Sequence, residues 1–199
     1  MRERYDALRA EVGPGVTVVV ATKYVSVNEL AVLAEAGVEV VGENRAQDLA
    51  AKQDRHGDAF RWHFIGHLQS RKAKDVSARC ELVHSLASES AARRLEIPAL
   101  VEVNVSGEET KSGVAESELP AFLSTARELG VEVRGLMTMP PFTDDPEQSR
   151  PYFRRLRELA AEHGLEELSM GTSQDYRIAV QEGATLVRVG SSLLGGLAR

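Results

Sequence analysis

Hydrophobic and polar positions along the chain fall into a repeating rhythm. Short apolar runs such as Thr17-Val18-Val19-Val20-Ala21-Thr22 are each followed by a stretch in which apolar residues recur at three- and four-residue intervals. Side chains alternate faces along a strand and return to one face about every 3.6 residues around a helix, so the runs predict strands and the spaced stretches predict helices. Strands are expected at residues 17–22, 39–42, 61–65, 81–84, 99–105, 132–137, 167–170 and 186–189. Helices are expected at 27–36, 46–55, 70–77, 89–95, 116–129, 148–163 and 175–182. In the first of these, Leu30, Leu33 and Ala34 share a face, Asn28 and Glu35 are polar, and Gly37 provides a C-terminal stop.

Eight strands alternating with helices predict an α/β fold, a single parallel (β/α)8 barrel of the TIM type, with an open doubly wound sheet as the alternative. Barrels of this kind usually need about 250 residues, so the connections in a chain of 199 must be short; the longest apparent loop is 139–147. No repeat, low-complexity tract or linker marks a boundary, and residues 1–199 are expected to form one barrel domain.

Composition narrows the partners. With 43% hydrophobic and 27% charged residues the chain can bury one sizeable core. The formal charge of −6 repels a phosphate backbone, and aromatic residues at 5% are too scarce for base stacking, so no nucleic-acid partner is expected. A single cysteine, Cys80, offers neither an internal disulfide nor zinc-ligand spacing, which fits a reducing compartment. The charged start Met1-Arg2-Glu3-Arg4 lacks the apolar stretch of an export signal, and no run is long enough to cross a bilayer. A cytoplasmic location and no membrane partner are expected.

In a parallel barrel the loops after the strands all open on one face, so chemistry is sought at strand C-terminal ends. Lys23 follows the first strand and shares a face with Thr17, Val19 and Ala21. If that face is the lumen, partial desolvation at its mouth would favour the neutral amine and attack on a carbonyl; otherwise Lys23 simply reaches into water. The seventh and eighth strands run into Gly171-Thr172-Ser173 and Gly190-Ser191-Ser192. Such glycine-to-hydroxyl transitions can cradle a phosphate, or can serve only as turns and helix caps. Arg188 alternates with Val187 and Val189, so if the valines face the helices its guanidinium faces the lumen, either paired in a structural bridge such as one with Glu102 or serving a ligand. Asn44 and His67 follow the second and third strands and could project over a ligand. His63 and His67 are four apart, but zinc-protease chemistry needs a helix and a glutamate after the first histidine, and here Phe64 follows within a strand, so no metal site is assigned. Gly107-Glu108-Glu109-Thr110-Lys111-Ser112 lacks the spacing of a nucleotide-binding loop.

Ala21-Thr22-Lys23, Gly42-Glu43-Asn44, Trp62-His63-Phe64-Ile65-Gly66-His67-Leu68-Gln69, Lys111-Ser112-Gly113, Gly135-Leu136-Met137-Thr138-Met139, Leu168-Ser169-Met170-Gly171-Thr172-Ser173-Gln174-Asp175 and Val187-Arg188-Val189-Gly190 occur in that order over most of the chain. Together they resemble the pyridoxal phosphate homeostasis protein family. The resemblance implies a barrel like the N-terminal domain of alanine racemases, holding pyridoxal 5′-phosphate (PLP) as a Schiff base on Lys23. It also implies phosphate contacts at Ser173, Gly190 and Ser191, an arginine facing the pyridine at Arg188, and pocket positions at Asn44 and His67. Many relatives carry a second lysine two positions after the first; this chain has Val25, leaving Lys111 as another candidate amine for loading or release.

An arginine beside the pyridine nitrogen keeps that nitrogen unprotonated and weakens the ring as an electron sink. Racemases of this fold add a β-rich domain and a tyrosine base, and none of Tyr5, Tyr24, Tyr152 or Tyr176 can be assigned that role. The expectation is therefore a monomeric PLP-binding protein that buffers the cofactor and delivers it to PLP-dependent apo-enzymes, rather than an enzyme. A small amino-acid racemase and a sugar-phosphate isomerase are the alternatives.

Overall fold

The computed structural model describes residues 1–108 and 111–195, and in it the expected strands close into a ring. They are β1 Thr17–Ala21, β2 Val40–Glu43, β3 Arg61–Phe64, β4 Leu82–Leu86, β5 Ala99–Asn104, β6 Val114–Ala115, β7 Val133–Met137, β8 Glu167–Thr172 and β9 Leu186–Val189. The order β4-β3-β2-β1-β9-β8-β7-β5 is closed by pairing of β4 with β5. All pairings are parallel, and the seam between β1 and β9 sets Thr17 opposite Leu186 and Val19 opposite Arg188. The open-sheet alternative is thereby excluded. The two-residue β6 pairs with the end of β5 and lies outside the ring of eight; it is too short to carry a readable period.

The helices are α1 Arg2–Val12, α2 Leu30–Glu35, α3 Ala46–His56, α4 Ala73–Ser77, α5 Glu89–Ala92, α6 Leu119–Glu128, α7 Arg150–Glu162, α8 Tyr176–Gln181 and α9 Ser191–Leu194. Two lie outside the sequence expectations. In α1 the charged composition masks Tyr5, Leu8 and Val12, whose spacing nevertheless makes one buried stripe. In α9 four residues are too few for a period. Several expected helices are trimmed: α2 starts at Leu30 because Ser26 and Glu29 close a turn first, through hydrogen bonds in both directions.

Two apolar layers follow from strand alternation. On β1, Val18 and Val20 join the outer core beneath the helices, with Leu30, Leu33, Leu49, Phe153 and Leu156. Val19 faces the other way, into a lumen filled by Val40, Leu82, Leu100, Met137 and Leu186. Each such side chain contributes roughly 1.5–3 kcal/mol by leaving water. The lumen is thus a packed core, with a cavity at each of its two ends.

Candidate functional site

The strand C-terminal ends surround a cavity of about 720 Å³, within the range of small-molecule and cofactor sites. Its walls come mainly from four connections: Ala21, Lys23 and Tyr24 after β1; Met139 and Phe142 after β7; Thr172, Ser173 and Gln174 after β8; and Arg188, Gly190, Ser191 and Ser192 on β9 and α9. Asn44 and Ile65 complete it from β2 and β3.

Behind Lys23, the ends of β1 and β2 are locked together. Lys52 of α3 is buried and donates to the Thr22 carbonyl at 2.7 Å and to the Glu43 carboxylate, which also accepts from the Thr22 hydroxyl. These residues alternate with Ala21, Lys23 and Asn44, so an outward-facing ion pair fixes the stretch that carries two inward-facing site residues. Lys23 itself is exposed and its ammonium lies 4.7 Å from the Tyr24 ring centre, a less desolvated setting than the sequence suggested. Val25 is buried in the outer core, so no second amine stands there.

After β8 the chain makes a tight turn. Gly171 has φ +89°, and a β-carbon there would lie 2.5 Å from that of Ala179, so glycine is what lets α8 pack this close. Asp175 then gathers the turn by accepting from the Thr172 amide at 2.7 Å, from its hydroxyl at 3.1 Å, and from Ser149 at 2.9 Å. The result presents Ser173, whose hydroxyl accepts from the amides of Gly190 at 3.0 Å and Ser192 at 3.3 Å. Two main-chain donors thus converge on one oxygen at the edge of the cavity, which is the requirement for holding an oxyanion.

Arg188 is buried at 5% exposure. Its guanidinium donates to the Ser169 and Thr138 carbonyls, both at 2.9 Å, and to the Ser169 hydroxyl. It forms no ion pair with Glu102, which instead accepts from Ser112, so the structural bridge weighed from the sequence is corrected. Burial pushes the guanidinium down to about 10, against the favourable fields of Asp175 and Glu102, which leaves it cationic at neutral pH. Carbonyl and hydroxyl oxygens therefore hold this charge in place of a carboxylate.

Of the seven residues singled out in the sequence, Lys23, Asn44, Ser173, Arg188, Gly190 and Ser191 line this one cavity. His67 does not. Gly66 sits against the Asn44 backbone so closely that a β-carbon would be 2.1 Å from its carbonyl oxygen, and His67 follows as an exposed loop residue outside the cavity. The chain has left β3 before Gly66, so a place just after the strand does not by itself turn His67 toward the cavity. Lys111 is half-buried and is not a cavity residue either. Tyr24, Met139 and Phe142 were not anticipated; all three are exposed apolar groups on the rim, and only the closed barrel gathers them. The Oδ1 atom of Asn44 is buried without a protein partner, as expected of a group whose partner is a ligand.

Residues 1–198 match the family model for the alanine racemase N-terminal domain. A relative from Aquifex aeolicus named pyridoxal phosphate homeostasis protein is 43% identical over 176 residues, covering 80% of this chain and 77% of the relative. One of the same name from Pseudomonas aeruginosa is 40% identical, with 80% and 75% covered. The solved structure of PipY from Synechococcus elongatus with PLP bound superimposes with a TM-score of 0.89 at 32% identity, over 96% of this chain and 98% of PipY.

Proposed function

The chain belongs to the alanine racemase N-terminal-domain family, and from that premise we propose that it binds PLP through Lys23 and serves intracellular PLP homeostasis, holding the cofactor and releasing it to PLP-dependent apo-enzymes. The observation that carries this reading is the convergence of an amine, a buried guanidinium and an oxyanion cradle from the adjacent strands β1, β9 and β8 in one cavity. The relatives named pyridoxal phosphate homeostasis protein and PipY with its bound PLP support it.

When bound, PLP supplies an electrophilic aldehyde on a pyridine ring and a phosphate dianion. The residues present suit both ends of such a molecule. Lys23 offers the amine. Ser173, Ser191 and the amides of Gly190 and Ser192 offer donors to the phosphate, and the Ser173 hydroxyl can turn from acceptor to donor once an anion takes its place. Asn44 has an unused acceptor at the cavity wall. Arg188 holds a positive charge toward the ring and so opposes protonation of the pyridine nitrogen, which favours storage over electron-sink catalysis. In this reading residues 1–199 act as one cofactor-binding barrel domain, monomeric and cytoplasmic, and His67 is outside the binding set.

Reduction of the PLP-treated protein with borohydride should fix a phosphopyridoxyl group on Lys23, found by peptide mass analysis, and Lys23→Ala should stay colourless and unlabelled. Undiminished label on another lysine in that variant would sink the assignment. Transfer from the loaded protein to an apo-enzyme, with D- and L-alanine left unracemised, separates delivery from a racemase.

A further inference from the structure

Besides Glu102, which pairs with Ser112 toward the mouth, the buried lumen holds one continuous polar thread. Arg188 on β9 donates to the Ser169 hydroxyl on β8; that oxygen lies 2.8 Å from Nδ1 of His84 on β4; and Nε2 of His84 lies 2.9 Å from Nδ1 of His63 on β3. All four are buried, Ser169 and His84 completely. The thread crosses the barrel and ends where His63 lines a second cavity, of about 240 Å³, at the opposite face. Leu82, Leu100 and Met137 fill the same lumen without needing partners, so polar groups here carry a desolvation cost that packing alone does not require.

The direction of the hydrogen bonds is fixed from one end. A guanidinium only donates, so the Ser169 oxygen accepts from Arg188 and its own proton is left for His84, the one other partner of that hydroxyl among the described residues. Nδ1 of His84 must then be the bare nitrogen and Nε2 must carry the proton, which it gives to Nδ1 of His63. His63 in turn keeps its proton on Nε2. The opposite tautomers would leave the Ser169 proton without an acceptor in a wholly buried position. Burial keeps both rings neutral, pushing His63 down to about 4 and His84 well below its usual range.

We propose that Ser169, His84 and His63 are positioning residues that hold Arg188 in one orientation toward the PLP ring, through a hydrogen-bond thread of fixed direction spanning the barrel. The inference rests on the PLP reading for what Arg188 faces, but not for the thread itself. The charged groups bearing on it are Asp175 and Glu102 near Arg188, and Arg61, Glu81 and Arg134 near His63. They are common to the protein and the variants below, so a difference between these proteins reports the thread.

Nitrogen-15 spectra of the imidazoles, recorded without added PLP, should show His84 and His63 both neutral and protonated at Nε2. A proton on Nδ1 of His84 overturns the thread whatever the protein binds. In the PLP-loaded protein, the pH titration of the visible band should move to higher pH by about one unit in Ser169→Ala, a tenfold change in proton affinity as the cation is released from its place. His84→Phe should do the same, while His84→Gln, whose amide can accept at one atom and donate at the other, should restore the wild-type midpoint. Identical midpoints in all four proteins overturn the positioning role. A wild-type protein that takes up no PLP overturns the functional reading and the coupling to it, and leaves the imidazole result to judge the thread alone.

Discussion

The two ends of the barrel are built from the same strands and do opposite things with charge. At the mouth, hydroxyls, glycines and exposed apolar side chains surround a large cavity; Lys23 stands exposed there, while Arg188 and the Glu43–Lys52 pair behind the wall are buried. At the floor, the strand entries carry Arg61, Glu81, Arg134 and Glu167, which line a cavity a third as large and stand partly in water. Arg61 meets Glu81 at 2.8 Å and Arg134 meets Glu132 at 2.7 Å, each pair largely exposed. A crown of charge of both signs surrounds the floor, and exposed pairs of this kind ask little and return little. The mouth instead fixes its strand ends with a buried pair, whose attraction is strong only while both partners remain.

That contrast can be broken by substitution. Lys52→Met strands the Glu43 carboxylate inside the protein and should cost about 3–5 kcal/mol in urea unfolding. Replacing both partners, Lys52→Met with Glu43→Leu, should recover most of it. A single-variant cost of under about 1 kcal/mol would put this pair on a level with the floor.

The next effect belongs to the lumen between the two ends. His63 prefers to be neutral in the folded protein, at about 4 against its ordinary 6.5, chiefly because burial penalises its charged form and secondly because Arg61 repels it. Unfolded chains therefore bind the extra proton first. The contribution is fully present above pH 6.5 and is lost as the pH falls from 6.5 through about 4, amounting to roughly 2–4 kcal/mol. His84 acts in the same direction. Urea midpoints at pH 7 and pH 4.5 should differ less in His63→Gln than in the wild type, and an equal drop in both would refute the assignment. The smallest effect is expected from Arg61→Ala at the floor, about 0–1 kcal/mol and weaker still in high salt.

Much of the site was legible from the chain because period-two alternation is a local rule. It put Lys23 and Arg188 on one face of their strands, and position at the strand ends added Asn44 and the two glycine-hydroxyl turns, all of which line one cavity. Position after a strand did not bring His67 to that cavity, since Gly66 packs against the Asn44 backbone and His67 follows as an exposed loop residue. Helical spacing missed α1, since six of its eleven residues are charged and the stripe of Tyr5, Leu8 and Val12 is thin.

The chain alone determined where strands and helices form, which strand residues point inward, and which chemical groups stand at the strand ends, because each of these depends on neighbours within a few positions. Closure of the barrel decided the rest. Ser169 meets His84 from 85 positions away, Arg188 binds Ser169 and Thr138 rather than Glu102, and Tyr24, Met139 and Phe142 gather on one rim. No local pattern encodes such meetings, since they are set by strand order and register, and the buried polar groups took whichever partners that register brought within reach.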